Sequence, residues 1–226
     1  MISVKHIPNL LTLGNLFVGS CGIITVFAGD QEIIFFILVA GIFDFLDGLT
    51  AKLLSAQSDI GKQLDSMADL ISFGCLPAFA VYREMAGING FWSFCALAII
   101  VFSALRLAKF NLDDSQLKEF KGLPSPANAL LLASILYIEA VNSPFIWIII
   151  IVLSCTLLVA PVTFIAFKFD GWDFNKNIIR YLLILTGLFI LVISGLDGLW
   201  TVLLLYIVCS LVSFFMKRQL RAAQKE

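Results

Sequence analysis

Histidine is all but missing from this chain: His6 is the only one. That excludes a metal centre built from several imidazoles. Cysteine offers no substitute, because Cys21, Cys75, Cys95, Cys155 and Cys209 are scattered through apolar segments with no C-x-x-C pair. They read as small buried hydrophobes, not as ligands or disulfide partners. Charge is scarce too, at 14% of the 226 residues, where a soluble domain carries about 25%. No hydrophilic stretch is long enough to form a soluble domain. What fills the chain is hydrocarbon: 60% of its residues are hydrophobic and the mean hydropathy is +0.99. These absences and this excess together describe an integral membrane protein, all-α and polytopic.

A helix needs about 20 apolar residues to cross the hydrocarbon core. Eight stretches qualify as candidate spans, near 8–29, 32–54, 63–84, 91–110, 123–141, 144–167, 178–195 and 198–216. The first reads as an uncleaved helix, since no small-residue cleavage site follows it. Basic residues collect in cytoplasmic loops, and they give the order a direction. With the N-terminus inside, all of the 15 Lys and Arg residues except Arg83 fall on the cytoplasmic side. The expected topology is therefore eight spans with both termini cytoplasmic, in a single membrane domain over 1–226. The longest inner loop, 111–121, has the composition of a short interfacial helix, and the basic tail "MKRQLRAAQKE" suits a topology anchor at anionic headgroups.

Against this apolar background one stretch is dense in acid. "DFLDGLTAKLLSAQSDIGKQLDSMAD" holds five carboxylates between Asp44 and Asp69. Asp44, Asp47 and Ala51 follow i, i+3, i+7 spacing, so they share one helical face with Gly48 beside them. Gly61, Asp65 and Asp69 follow i, i+4, i+8 and share a face of the next helix. A short connection predicts that the two helices are antiparallel neighbours, with four aspartates converging just below the cytoplasmic interface. Unpaired carboxylates near the membrane interior are costly, and mutual repulsion adds to the cost. Either protonation or bound divalent cations relieve it. Hard cations such as Mg²⁺, Mn²⁺ or Ca²⁺ prefer oxygen ligands, and two of them balance four aspartates. A two-metal site is a common holder of phosphate oxygens during displacement reactions, and Gly48 and Gly61 leave space for a ligand. Asp59 lies outside the spacing and reads as a loop residue facing water. A transporter or channel reading predicts ionisable groups at mid-membrane on several helices, whereas here the acids cluster at one end of one helix pair.

The acids also spell a pattern. D-x-x-D-G-x-x-A-[RK]-x8-G-x3-D-x3-D, written here by Asp44, Asp47, Gly48, Ala51, Lys52, Gly61, Asp65 and Asp69, resembles the signature of the CDP-alcohol phosphotransferase family. Lys52 stands where that signature usually has arginine, which keeps the charge and gives up the planar two-point grip. "IPNLLTLGNLFVG", "LDSMADLISFGCLPA", "ALRLAKFN" and "FKGLPSPANA" resemble the membrane-embedded, serine-using branch of that family in bacteria and archaea. The resemblance covers roughly 5–140 well and the last helices in hydropathy only. It implies a six-helix catalytic core over 5–167, open to the cytoplasm, with an additional C-terminal helix pair over 178–216. It implies transfer of the phosphatidyl group from CDP-diacylglycerol to L-serine, giving phosphatidylserine and CMP. Glycerol 3-phosphate or inositol phosphate are alternative acceptors on the same core.

By the same resemblance, Asp44, Asp47, Asp65 and Asp69 hold two divalent cations (Mg²⁺ or Mn²⁺, with Ca²⁺ a further occupant), and Asp69 is the base. Gly48, Ala51, Lys52 and Gly61 accommodate the cytidine diphosphate, with Asn9 and Thr12 contributing from the first helix. The carboxylate of serine calls for a nearby cation, and Arg106 and Lys109, with Asn111, are the candidates. Both cations also suit topology setting or snorkelling. "GLPSPANA" is unusually polar for a span: Pro124 and Pro126 fit a first helical turn, and Ser125 and Asn128 suit close packing or substrate contact. The expected partners are CDP-diacylglycerol, L-serine and the lipid bilayer of the cell membrane, with no nucleic acid, in a homodimer.

Overall fold

The computed structural model describes residues 6–29, 32–112, 121–138, 141–165 and 174–223. Among the described residues nine α-helices run in order: α1 Ile7–Ala28, α2 Ile33–Leu53, α3 Asp59–Asp69, α4 Leu76–Ile88, α5 Ala98–Leu112, α6 Ser125–Ile135, α7 Pro144–Val159, α8 Phe174–Ser194 and α9 Leu199–Ala223. A π-helical segment, Leu70–Cys75, joins α3 to α4, and a 3₁₀ turn, Trp92–Leu97, leads into α5. Among the described residues the only strand-like pairing is an isolated antiparallel bridge between Lys121 and Thr163.

Among the described residues five helical stretches are long and apolar enough to cross a membrane: Ile7–Ala28, Ile33–Leu53, Asp59–Ile88, Trp92–Leu112 and Asn177–Gln219. Their outer faces are lined with side chains such as Phe17, Ile24, Phe35 and Phe45, each more than 60% exposed. Apolar residues on every side mark helices solvated by lipid. The last stretch is a hairpin, not one rod. Gly195 turns the chain at φ +60°, and a Cβ on Gly187 would lie 3.1 Å from Val202, a contact no continuous helix allows.

Two expected spans come out short. The fifth, expected over 123–141, is helical only from Ser125 to Ile135, and the sixth, expected over 144–167, ends at Val159. Eleven residues rise about 17 Å, less than the hydrocarbon thickness. At α6 the chain stops helical pairing at Leu136. After α7 it turns extended at Ala160, ψ 141°, one residue before Pro161, as the residue preceding proline tends to do. The third span is longer than expected, because Ser58 caps α3 and the helix begins at Asp59, four residues before the anticipated start. Its side chain accepts from the Gly61 N–H at 3.0 Å, and Asp59 in the first turn favours the helix dipole. The interfacial helix expected at 111–121 falls largely on residues 113–120, outside the described residues.

The core begins where α1 crosses its neighbours. Gly19 makes the closest approach: a Cβ there would sit 2.1 Å from Ser72 Oγ and 2.8 Å from Ser72 Cα. That lets α1 lie directly on the π segment, where Ser72 Oγ donates to the Asn15 carbonyl at 3.1 Å. Phe73, Leu76, Ile37 and Val26 close over this crossing. A second cluster joins α4, α5, α6 and α7 through Val81, Met85, Ile99, Leu132 and Trp147. A third seats α8 and α9 on α6 through Leu131, Leu183 and Ile207.

Candidate functional site

α1 packs against both α2 and α3, while the two acid-bearing helices barely approach each other directly. The two helices that the short connection joins therefore face each other with their backbones held apart. They splay around a space, and their carboxylates reach into it. Asp44, Asp47 and Asp65 each offer an oxygen, and these atoms lie within 4.8 Å of one another. Asp47 is 5% exposed, a low value for a carboxylate side chain.

α1 supplies polar partners to this cluster. Thr12 Oγ1 is 2.6 Å from Asp47 Oδ2 and donates to it, with the Pro8 carbonyl at 3.1 Å as its other neighbour. One turn further along, Asn15 Nδ2 donates to Asp69 Oδ1 at 3.3 Å. The π segment explains the second contact. It begins immediately after Asp69 and docks on Asn15 through Ser72, which fixes the end of α3 against α1. Local π geometry recurs at functional sites because it re-aims a helix face without breaking the helix.

The aspartates stand between two cavities. One, of about 450 Å³, is lined by Asn9, Thr12, Asp47, Gly48, Ala51, Gly61 and Asp65. The other, of about 400 Å³, is lined by Asp44, Asp65, Asp69, Arg106, Asn111 and Tyr206 among others. Asp65 and Lys62 face both. The two glycines of the signature differ in surroundings. At Gly48 a Cβ would meet nothing within 4 Å, whereas at Gly61 it would meet Asn9 Oδ1 and Ser58 Oγ at 3.0 Å. Gly48 thus borders open space, and Gly61 is small because α1 and its own cap press on it. Lys52 is exposed at the end of α2 and lines neither cavity.

The basic candidates separate. Arg106 points into the aspartate cavity and donates to Ser125 Oγ at 2.6 Å, and its Nε is buried with no hydrogen-bond partner. Lys109 lines an adjoining cavity of about 430 Å³ with Arg106, Lys121 and Pro161. Asn111 is tied to α3: its side-chain amide donates to Ser66 Oγ at 2.8 Å, and its carbonyl accepts from Lys62 Nζ at 3.0 Å. Of the polar pair in "GLPSPANA", Ser125 faces Arg106, and Asn128 Oδ1 accepts from Ser154 at 2.7 Å inside the bundle.

The donor set suits a hard divalent cation. It is all oxygen, it is anionic, and it contains Asp65 Oδ1, a buried carboxylate oxygen without a hydrogen-bond partner. A buried acceptor left unpaired costs free energy, and a coordinated cation removes that cost. Asn15, Ser66 and Tyr206 were not singled out from the sequence. For Asn15 a signal existed: a polar amide three residues after Thr12 in an apolar span is itself unusual. Ser66 and Tyr206 carry no such mark.

Residues 5–173 match the family model described as CDP-alcohol phosphatidyltransferase. The chain is 35% identical over 128 residues to CDP-diacylglycerol–serine O-phosphatidyltransferase of Bacillus subtilis, which spans 54% of this chain and 71% of that one. It is 34% identical over 168 residues to the protein of the same name from Methanocaldococcus jannaschii, with 73% and 77% covered. To the Helicobacter pylori (strain 26695) protein of that name it is 28% identical over 215 residues, with 91% and 89% covered.

Proposed function

Because this chain belongs to the CDP-alcohol phosphatidyltransferase family, we propose that it transfers the phosphatidyl group of CDP-diacylglycerol to L-serine, releasing phosphatidylserine and CMP. The observation that carries this reading is the convergence of Asp44, Asp47 and Asp65 between two cavities.

Asp44, Asp47, Asp65 and Asp69 would hold two divalent cations, Mg²⁺ or Mn²⁺. When bound, such ions supply charge neutralisation for the pyrophosphate and polarise its phosphorus. The remaining work belongs to the chain. Thr12 and Asn15 orient Asp47 and Asp69. The cavity at Gly48, Ala51, Gly61, Asn9 and Thr12 takes the cytidine diphosphate, with Lys52 near its rim. The cavity at Arg106 and Asn111 takes serine, its carboxylate toward the guanidinium, while Lys109 acts from the adjoining side. Asp69 accepts the proton of the serine hydroxyl. The serine oxygen then forms a bond to the phosphorus that carries diacylglycerol, the bond from that phosphorus to CMP breaks, and the electron pair leaves on CMP.

The reading places the protein in the cell membrane as a multi-pass homodimer. On this reading the chain makes eight helical passes, two of them short, and both termini lie in the cytoplasm, where the water-soluble acceptor is found. The bias of Lys and Arg to one side supports that orientation. The test is CMP release from CDP-diacylglycerol by the protein in lipid nanodiscs, offered serine, glycerol 3-phosphate or inositol phosphate. Serine alone should support turnover, and only with a divalent cation present. Turnover with a phosphorylated alcohol in place of serine would reassign the acceptor.

A further inference from the structure

The C-terminal helices lie beyond residue 173, where the family match ends. Even so, α9 reaches the aspartates. Tyr206 lines the second cavity with Asp44, Asp65, Asp69 and Arg106, and so does Ile165. Ile165 belongs to an extended strap after α7 that has no helix of its own to satisfy its backbone. α9 takes both polar groups of this one residue. The Tyr206 hydroxyl donates to the Ile165 carbonyl at 3.1 Å, and Ser210 Oγ accepts from the Ile165 N–H at 3.3 Å. Tyr206 and Ser210 are one helical turn apart, which aims both at the same residue. They are 8% and 0% exposed. The Phe164 ring rests against that of Tyr206, with centroids 6.1 Å apart.

The strap is also held from its other side. Thr163 bridges Lys121, and the Gly122 N–H donates to the Val162 carbonyl at 2.9 Å. Gly122 has φ +83°, and a Cβ there would fall 2.2 Å from the Leu158 carbonyl oxygen. No other residue fits that approach. A backbone segment shielded from water must find partners for its polar groups, and around buried Phe164 they come from α9 and from the residues leading into α6. The wall of the aspartate cavity is therefore set partly by a helix outside the matched region.

We infer that α9 is part of the acceptor site: Tyr206 and Ser210 are positioning residues that fix Ile165, and through it the fit of the cavity to a small alcohol. This rests on reading that cavity as the serine site. Loosening the strap widens the cavity on the acceptor side alone, because neither residue borders the cavity assigned to the nucleotide.

The test uses Tyr206→Phe, which keeps the ring and removes the donor, and Ser210→Ala, which removes the acceptor. Ile207→Val is the control, since it trims a buried neighbour on α9 without touching Ile165's hydrogen bonds. The KM for serine should rise about three- to tenfold in each of the first two variants, the range expected for one lost hydrogen bond. The KM for CDP-diacylglycerol should stay within about twofold of wild type, as should both constants in the control. Combining Tyr206→Phe with Ser210→Ala should raise the serine KM by less than the product of the single effects, because both act through Ile165. An unchanged serine KM in both variants overturns the inference. So does an equal rise of both KM values in all three, which would mean general loosening of α9. If wild type releases CMP with no alcohol at all, the functional reading falls and this inference with it; an active wild type with indifferent variants sinks the inference alone.

Discussion

Replacing Thr12 by valine separates two jobs that its position permits: orienting Asp47 or touching the nucleotide. Thr12 Oγ1 and Asp47 Oδ2 are 2.6 Å apart, inside the range of about 2.5–2.7 Å for a hydroxyl donating to a carboxylate. Both residues are buried, at 3% and 5% exposure, so water has little access to take over the lost donor. Valine has nearly the shape of threonine, which leaves no void to complicate the result. A hydrogen bond to a charged group is worth about 1.5–3 kcal/mol. Where a partner of a metal ligand is removed, such a loss appears as about a ten- to hundredfold weaker metal affinity. The assay is CMP release against Mn²⁺ concentration at saturating CDP-diacylglycerol and serine. The Mn²⁺ midpoint should shift upward by that factor in Thr12→Val and return toward wild type in Thr12→Ser. A normal Mn²⁺ midpoint with a raised KM for CDP-diacylglycerol would refute the orienting role and assign the hydroxyl to the nucleotide.

Asp69→Asn should lower CMP release by about a hundred- to ten-thousandfold, the usual effect of losing a general base, while the protein still elutes as a folded species. Retained turnover would remove Asp69 as the base. Gly48→Ala should fold as wild type, because a Cβ there meets no atom within 4 Å, yet raise the KM for CDP-diacylglycerol by filling the cavity; an unchanged KM would argue that nothing binds against α2 there. Gly19→Ala should do the reverse. Its Cβ would sit 2.8 Å from the Ser72 backbone, so thermal stability should fall by about 1–3 kcal/mol, and a variant as stable as wild type would contradict the close crossing of α1 and the π segment.

What was legible in the sequence was what periodicity can carry. Asp44 with Asp47, and Asp65 with Asp69, fall on single helix faces by spacing alone, and the sparse charge of the background made those faces stand out. The break expected between 195 and 198 coincides with the turn at Gly195–Gly198. Lengths were less legible. Hydropathy runs on through 160–165, but Pro161 and the strap's pairing with Lys121, Gly122 and α9 end α7 earlier. Those pairings are long-range, and no local window contains them. The same holds for the site. Nothing local says that Thr12 meets Asp47 35 residues away, that α2 and α3 splay around a gap, or that Tyr206 shares a cavity with Asp69. Gly61 lines the cavity its spacing suggested, but only its neighbours reveal that Asn9 and Ser58 also press on it.

The account depends on cations bound among the three converging aspartates. Anomalous diffraction from Mn²⁺-soaked crystals measures this directly. It should place manganese between Asp44, Asp47 and Asp65, with the density lost in Asp65→Asn. Crystals that fix manganese elsewhere, or that keep those carboxylates metal-free while CMP is still produced in the same Mn²⁺ buffer, would contradict the account.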